Sequence, residues 1–204
     1  MRRFGIFMTL MAAVTATALS GCASGSKGSM ADPVHEPYLL PKGLASRSNS
    51  FENPSAAPGQ GGKAASPLGV GRKGSHYKSA DPGGTLVLAD IEGPGTIRHI
   101  WLTLSDPVMG LGQHRPQTFR NVVIRAYWDD QAHPSIECPL GDFFGIAHGK
   151  VMYYQSSVHS VAGSVGMNLW LPMPFCKRAR ITLTNEGDYP LSVVYSLDHT
   201  VGDE

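Results

Sequence analysis

The stretch PLGDFFGIAHG, Pro139 to Gly149, sets one carboxylate, Asp142, between a glycine and two phenylalanines, Phe143 and Phe144. An acid beside flat apolar rings could grip a hydroxylated ring, move a proton, or only hold a turn. Acid–base chemistry needs a second carboxyl, and the candidates are Glu52, Asp90, Glu92, Asp129, Asp130, Glu137, Glu186 and Asp188. Asp129 and Asp130 are adjacent in DDQAH, and Glu186 and Asp188 share TNEGDYP. In such segments acids stabilise turns through side-chain to backbone bonds. Glu92 heads the EGPG turn and reads as structural as well. Asp142 is different, because flanking glycines permit tight geometry that lets the acid project from a strand end. Ligand contact and loop support are both open to it, whereas stand-alone catalysis is not expected.

A second set of polar and aromatic groups sits in residues 47–79, a long segment of Gly, Ser, Pro, Ala, Asn and Lys. A long structureless stretch of this kind is either a linker or a functional loop. Phe51, Glu52, Asn53 and Arg72 supply its chemistry, as ligand contacts or as packing between subunits. The histidines are scattered with no pair at ligand spacing on one element, so no metal is expected. His99 reads as a partly buried, hydrogen-bonded core residue beside Trp101, and His148 is the one near Asp142. No GxSxG elbow, P-loop or supported Cys–His pair is present, and no cofactor is expected.

The elements that position these groups are short strands. Runs rich in β-branched and aromatic residues, among them GTLVLAD, GTIRHIWLTL, NVVIRAYWD, PSIECP, VGMNLWLPMPF, ARITLTNEG and LSVVYSLDH, alternate with turn signals. No sustained helical period separates them, so the crossover helices of a parallel sheet are missing. The fold class expected is all-β, an antiparallel sandwich or jelly roll. Parity along GTIRHIWLTL puts Ile97, His99, Trp101 and Thr103 on one face and Arg98, Ile100, Leu102 and Leu104 on the other.

The N-terminus reads as an address. Arg2 and Arg3 precede an apolar run of signal-peptide length, too short for a stable span, which ends in Leu19-Ser20-Gly21-Cys22. That is the pattern of a bacterial lipobox, with residues 1–21 removed and Cys22 lipidated. Acyl chains on Cys22 would hold the protein at the cell envelope. Ala23 in place of an acid favours the outer membrane where there are two. Residues 22–45 read as a flexible tether, 46–200 as the folded domain and 201–204 as a tail. Seventeen Lys and Arg against sixteen Asp and Glu, interspersed, argue against a nucleic-acid partner. Cys138 and Cys176 read equally as a disulfide or as two buried thiols.

Several motifs occur together and in order: SRSNSFENPSAAPGQGGKA, GRKGS, LADIEGPGTIRHIWLTL, IRAYWDD, PSIECPLGDFFGIAHG, NLWLPMPFCKRARITLTNEG and VVYSLD. From about Ser46 to Asp198 the chain resembles the domain-of-unknown-function 2961 family, which overlaps glycoside hydrolase family 172. The resemblance implies a jelly-roll β-sandwich, one of two such units per subunit, assembled into trimers or larger rings. It also implies activity on α-fructofuranosides or α-D-arabinofuranosides, with Phe51, Glu52, Asn53, Arg72, Asp142, Phe143 and Phe144 near a cleft for furanose units. The family's catalytic glutamates lie near Gly-Glu-Gly-Glu and Gly-Thr-Gly-Thr-Glu-Asp-Tyr stretches that are absent from this sequence, so no catalytic residue carries over. The expectation is the N-terminal half of a furanosidase, completed by a separate C-terminal half, or else a non-catalytic glycan-binding or structural module or a truncated product.

Overall fold

The computed structural model describes residues 43–61, 75–110, 113–115, 117–146, 148, 150–163 and 165–202. The signal peptide, Cys22, nearly all of the tether, Arg72 and the end of the tail lie outside the described residues. Twelve strands run in chain order: β1 (Ala45–Asn49), β2 (Lys78–Ala80), β3 (Thr85–Glu92), β4 (Gly95–Ser105), β5 (Val122–Trp128) and β6 (Ile136–Pro139), then β7 (Tyr154–Gln155), β8 (His159–Ala162), β9 (Gly166–Leu169), β10 (Met173–Phe175), β11 (Arg178–Asn185) and β12 (Leu191–Val201). Two four-residue helices, α1 (Thr118–Asn121) and α2 (Leu140–Phe143), interrupt them.

The strands form two antiparallel sheets, and the molecule is a β-sandwich. The larger sheet has the order β1-β12-β4-β9-β8-β7, with β2 beside β12 and β10 beside β4. The smaller sheet has the order β3-β11-β5-β6. β12 alternates strictly: Leu191, Val193, Tyr195 and Leu197 are buried, while Ser192, Val194, Ser196 and Asp198 face out. Period-two patterning is what a sheet with one face on a core requires. From the smaller sheet Leu88, Ile91, Ile124, Ala126, Ile181 and Leu183 fill the same core. Tyr195 ties the layers directly, its hydroxyl donating to the Leu88 carbonyl at 2.6 Å. Burial holds that hydroxyl well above the usual phenol range.

A bulge helps set which residues face in. Opposite Asp198 and His199 the partners on β4 are His99 and Ile97, so Arg98 is the extra residue. The parity reading is corrected there: Ile97 is fully buried, and His99 and Trp101 stay on the outer face. A bulge inserts one residue and reverses the side-chain sense beyond it. Ile97 thereby turns into the core, whereas His99, partly buried and hydrogen-bonded as expected, lies with Trp101 and Thr103 on the outer face and not in the core.

Other boundaries shift too. β1 pairs with β12 across residues 45–49, starting one residue before the expected domain at 46 and running into the stretch read as a long loop. Paired backbone, rather than composition, defines that edge. VGMNLWLPMPF, one run in sequence, divides into β9 and β10, which dock at different places along β4. Cys138 is a free thiol, so it is not bridged to Cys176. Burial, and then the nearby Asp142 carboxylate, push its pKa up.

Candidate functional site

The outward positions of the larger sheet carry a hydrogen-bonded row that crosses five strands. The Ser48 hydroxyl on β1 lies 3.0 Å from that of Ser196 on β12. Two residues along β12, Asp198 meets His99 of β4, with Oδ2 2.9 Å from the ring Nδ1. The other ring nitrogen, Nε2, is 3.0 Å from the Asn168 side-chain oxygen on β9. Asn168 in turn donates through Nδ2 to the Ser160 hydroxyl on β8 at 3.2 Å. Strand pairing places each residue beside the next: Ser48 opposite Asp198, Asp198 opposite His99, and Ser160 opposite Asn168.

The chemistry of the row follows from its donors and acceptors. A carboxylate only accepts, so Nδ1 of His99 carries the proton that Asp198 receives. Nε2 then faces an amide, which can turn either its oxygen or its nitrogen toward the ring. Both nitrogens are thus engaged, and the imidazole is held from two sides. Against its flat face lies Trp170, with ring centroids 5.2 Å apart and planes 7° from parallel. Trp170 is 42% exposed, so the indole is backed by an anchored ring and still reaches solvent. Trp101, also on the outer face, lies across Gly166, where an added Cβ would sit 3.2 Å from the indole nitrogen.

At the β1 end, Ser46, Ser48, Ser50 and Asn53 border a shallow cleft of about 520 Å³. Asn53 shapes it by folding the chain back on itself. Its Nδ2 donates to the Ala57 carbonyl at 3.0 Å, and its Oδ1 accepts the Ala57 N–H at 3.1 Å. The fold therefore brings Asn53 to the edge of the row. Glu52, beside it, is half-buried in the same turn. Phe51 is only 6% exposed and packs edge-on against Tyr195, so its ring serves the core and offers no stacking surface.

The DFF stretch goes elsewhere. Asp142 sits on the one-turn helix α2, not at a strand end, and is ion-paired with Arg120 of α1. These two helices pack by β5 and β6, at the smaller sheet. Phe144 is fully buried, and Phe143 is half-buried with its ring at 89° to that of Phe144. Phe144 thus cannot present its ring to a ligand in this arrangement. Gly145, at φ +74°, completes the turn, and the Tyr154 hydroxyl donates to the Phe144 carbonyl at 2.5 Å. A Cβ at Gly145 would land 2.1 Å from that hydroxyl, which explains the glycine. His148 is exposed.

The remaining acids are mostly engaged in holding the fold. Arg178 grips both oxygens of Asp90, at 2.6 and 2.8 Å, and Arg180 adds a third bond. The Arg178 hydrogen bond, opposed by partial burial and helped by the charge of Arg180, holds Asp90 below its ordinary value. Arg125 bridges Glu137 and Glu186, at 2.7 and 3.0 Å. Asp129 caps the neighbouring turn: burial would raise its pKa, but the Lys177, Arg178 and Cys176 N–H groups outweigh that and lower it. At Asp106 burial is again overcome, by the Val108 and Met109 N–H groups and Arg115. A glycosidic proton donor needs the opposite shift, a carboxyl held neutral near working pH. Among the described residues, no group of three His, Cys, Asp or Glu side chains could hold a metal ion.

The family model for the GH172 domain-like family matches residues 73–194, more than half of the chain. The chain belongs to the GH172 domain-like family. It is a glycoside-hydrolase-related carbohydrate module. No curated protein matches it. The GH172 domain-like span holds His99, Ser160, Asn168, Trp170 and the DFF stretch, whereas Ser48, Phe51–Asn53, Ser196 and Asp198 lie outside it. Sequence reasoning passed over Asn168 and Trp170. The available signal was a lone polar residue between buried Met167 and Leu169, at the parity that faces solvent.

Proposed function

We propose that the protein is a surface-anchored, α-furanosidase-like carbohydrate module that binds glycans with furanose units. A lipid on Cys22 would tie it to the cell envelope, at the outer membrane where two membranes exist. Membership of the GH172 domain-like family is the observation that carries this reading. The strand order supports a jelly roll as its form. β2, β3, β4 and β5 alternate between the sheets, and β12 returns beside both β2 and β4, as the double Greek key of a jelly roll requires.

Catalytic glutamates would come from a separate C-terminal half, and the module itself would assemble as a homotrimer or larger ring. The ion pairs and turn bonds that hold Asp90, Asp129, Glu137, Glu186 and Asp142 support this, because a retaining mechanism needs a nucleophile and an unengaged proton donor about 5–5.5 Å apart. The same observation favours a second reading, in which the module binds glycan and never hydrolyses it.

One experiment separates these. The purified full chain would be incubated with α-D-arabinofuranosides and α-fructofuranosides, alone and with an envelope fraction from its own cells. Binding without turnover by the chain alone is expected, with turnover once the partner is present. Hydrolysis by the chain alone would refute the borrowed glutamates. Binding with no turnover in either arm would leave the purely binding module, and no binding at all would end the carbohydrate reading. Intact mass of the native protein, against a Cys22→Ala variant, tests the lipid.

A further inference from the structure

We infer that the outer face of the larger sheet is the sugar-contact surface, with Trp170 as the stacking platform and the Asp198–His99–Asn168 array as the hydroxyl-reading edge. The inference rests on the carbohydrate-module reading above and names its site and ligand class: a neutral furanoside or short furanose oligosaccharide.

Three observations lead there. The first is preorganisation. Trp170 is exposed over 42% of its surface, yet the imidazole stacked beneath it is fixed at both nitrogens, by Asp198 and by Asn168. A platform already held in place costs little ordering when ligand arrives. An indole face matches the C–H face of a sugar ring, and the exposure of Trp170 makes its indole accessible to one.

The second is unused hydrogen-bonding capacity. Asp198 spends one oxygen on His99, and its other oxygen has only a long 3.5 Å contact from Ser196. Its side chain is 40% exposed, so lone pairs remain for a pair of adjacent hydroxyls. Asn168 uses one amide hydrogen on Ser160 and keeps another. Ser48 and Ser196 add hydroxyls that can donate or accept. Carboxylate, amide and hydroxyl groups beside an aromatic ring suit a polyol.

The third is the contrast with the other hollow. The smaller sheet carries a depression of about 570 Å³ lined by Arg125, Arg178, Arg180, Tyr127 and Asp130. Each of its arginines already holds a carboxylate. A neutral sugar there would have to break ion pairs and would meet no open aromatic platform of comparable exposure. An anionic glycan fits the larger-sheet row poorly as well, since Asp198 would repel it.

The test uses the full chain, a synthetic α-D-arabinofuranose oligosaccharide as probe and a gluco-oligosaccharide as control, by calorimetry. Trp170→Ala should weaken furanoside binding by about tenfold or more, the loss of one good aromatic contact, with the melting temperature little changed. Trp170→Phe should recover part of it, and Asp198→Asn, which keeps an oxygen to accept from His99 but loses the carboxylate's further acceptor capacity, should also weaken binding. Arg125→Ala, on the opposite face, should leave affinity as it is. Should Trp170→Ala fail to fold, Trp170→Phe and Asp198→Asn decide alone. Wild-type affinity in the Trp170 and Asp198 variants, or a loss confined to Arg125→Ala, would overturn this site while leaving the carbohydrate module standing. Absence of furanoside binding by the wild-type chain would overturn both.

Discussion

The two outward faces of the sandwich are both polar, yet they are polar in different ways. On the smaller sheet the polarity is charge: Arg125, Arg178 and Arg180 interleave with Glu137, Glu186 and Asp90 in direct ion pairs. On the larger sheet it is a chain of hydrogen bonds from Ser48 to Ser160 containing one carboxylate, with a half-open indole at its side. A lattice of satisfied ion pairs solvates a face and fixes neighbouring strands, and it has little left to offer a neutral ligand. A row with spare lone pairs and a backed aromatic ring has that capacity. Polarity alone, then, does not make two faces alike; unspent hydrogen-bonding capacity separates them.

Because the faces share one core, a core variant must damage both. Phe144→Ala removes a fully buried ring and should cost about 3–5 kcal/mol in a denaturant melt. Phe143→Ala, from a half-buried position, should cost clearly less. Equal losses would contradict the division of the DFF stretch into one core ring and one rim ring.

Tyr195→Phe cuts the tie between the layers. It strands the Leu88 carbonyl in the core and should cost roughly 1–3 kcal/mol while preserving the fold. A neutral outcome would mean that the carbonyl finds another donor and that the sheets are joined by packing alone.

Salt should sharpen the contrast between the faces. Arg125→Ala should lose roughly 0.2–1 kcal/mol for each ion pair in dilute buffer, and the loss should shrink in high salt. His99→Ala, which breaks a hydrogen-bonded row, should lose stability with weaker salt dependence. Matching salt responses would erase the distinction drawn here.

The smallest effect concerns pH. Asp90, Asp106 and Asp129 have folded-state pKa values below the ordinary carboxylate value. The unfolded chain therefore takes up protons first as pH falls. Their stabilisation is full above that ordinary value and is lost on acidification through the lower, folded-state values. Burial also lowers the pKa of His114, the Asp106 charge opposing it, so its stabilisation is likewise present above the ordinary imidazole value and declines as pH falls. His114→Phe should flatten the melting-temperature profile between about pH 7 and 5, leaving the acid limb in place. An unchanged profile would place the source elsewhere.

Some of this was written into the sequence directly. Strict alternation in LSVVYSLDH, and turn residues between short runs, dictate half-buried antiparallel strands, because side chains in a strand alternate every residue whatever the partner. The turn role of Asp129 was legible too, though its acceptor duties reach across to Cys176, Lys177 and Arg178 instead of its own hairpin. Glycine beside DFF announced a tight turn, and Gly145 makes one. Only the tertiary structure decided the rest. The bulge at Arg98 arises from pairing with β12, and it turns Ile97 inward, off the face that parity alone makes it share with His99. Phe51, Asn53 and Phe144 have the residue types of a ligand cleft, yet Tyr195 claims the first and the core the last, leaving Asn53 at the row's edge. Ser48, His99, Asn168 and Asp198 meet because antiparallel register sets Ser48 opposite Asp198 and Asp198 opposite His99, with Asn168, opposite Trp101, on the diagonal to His99. Register is a property of strand pairs, and a single strand's sequence does not contain it.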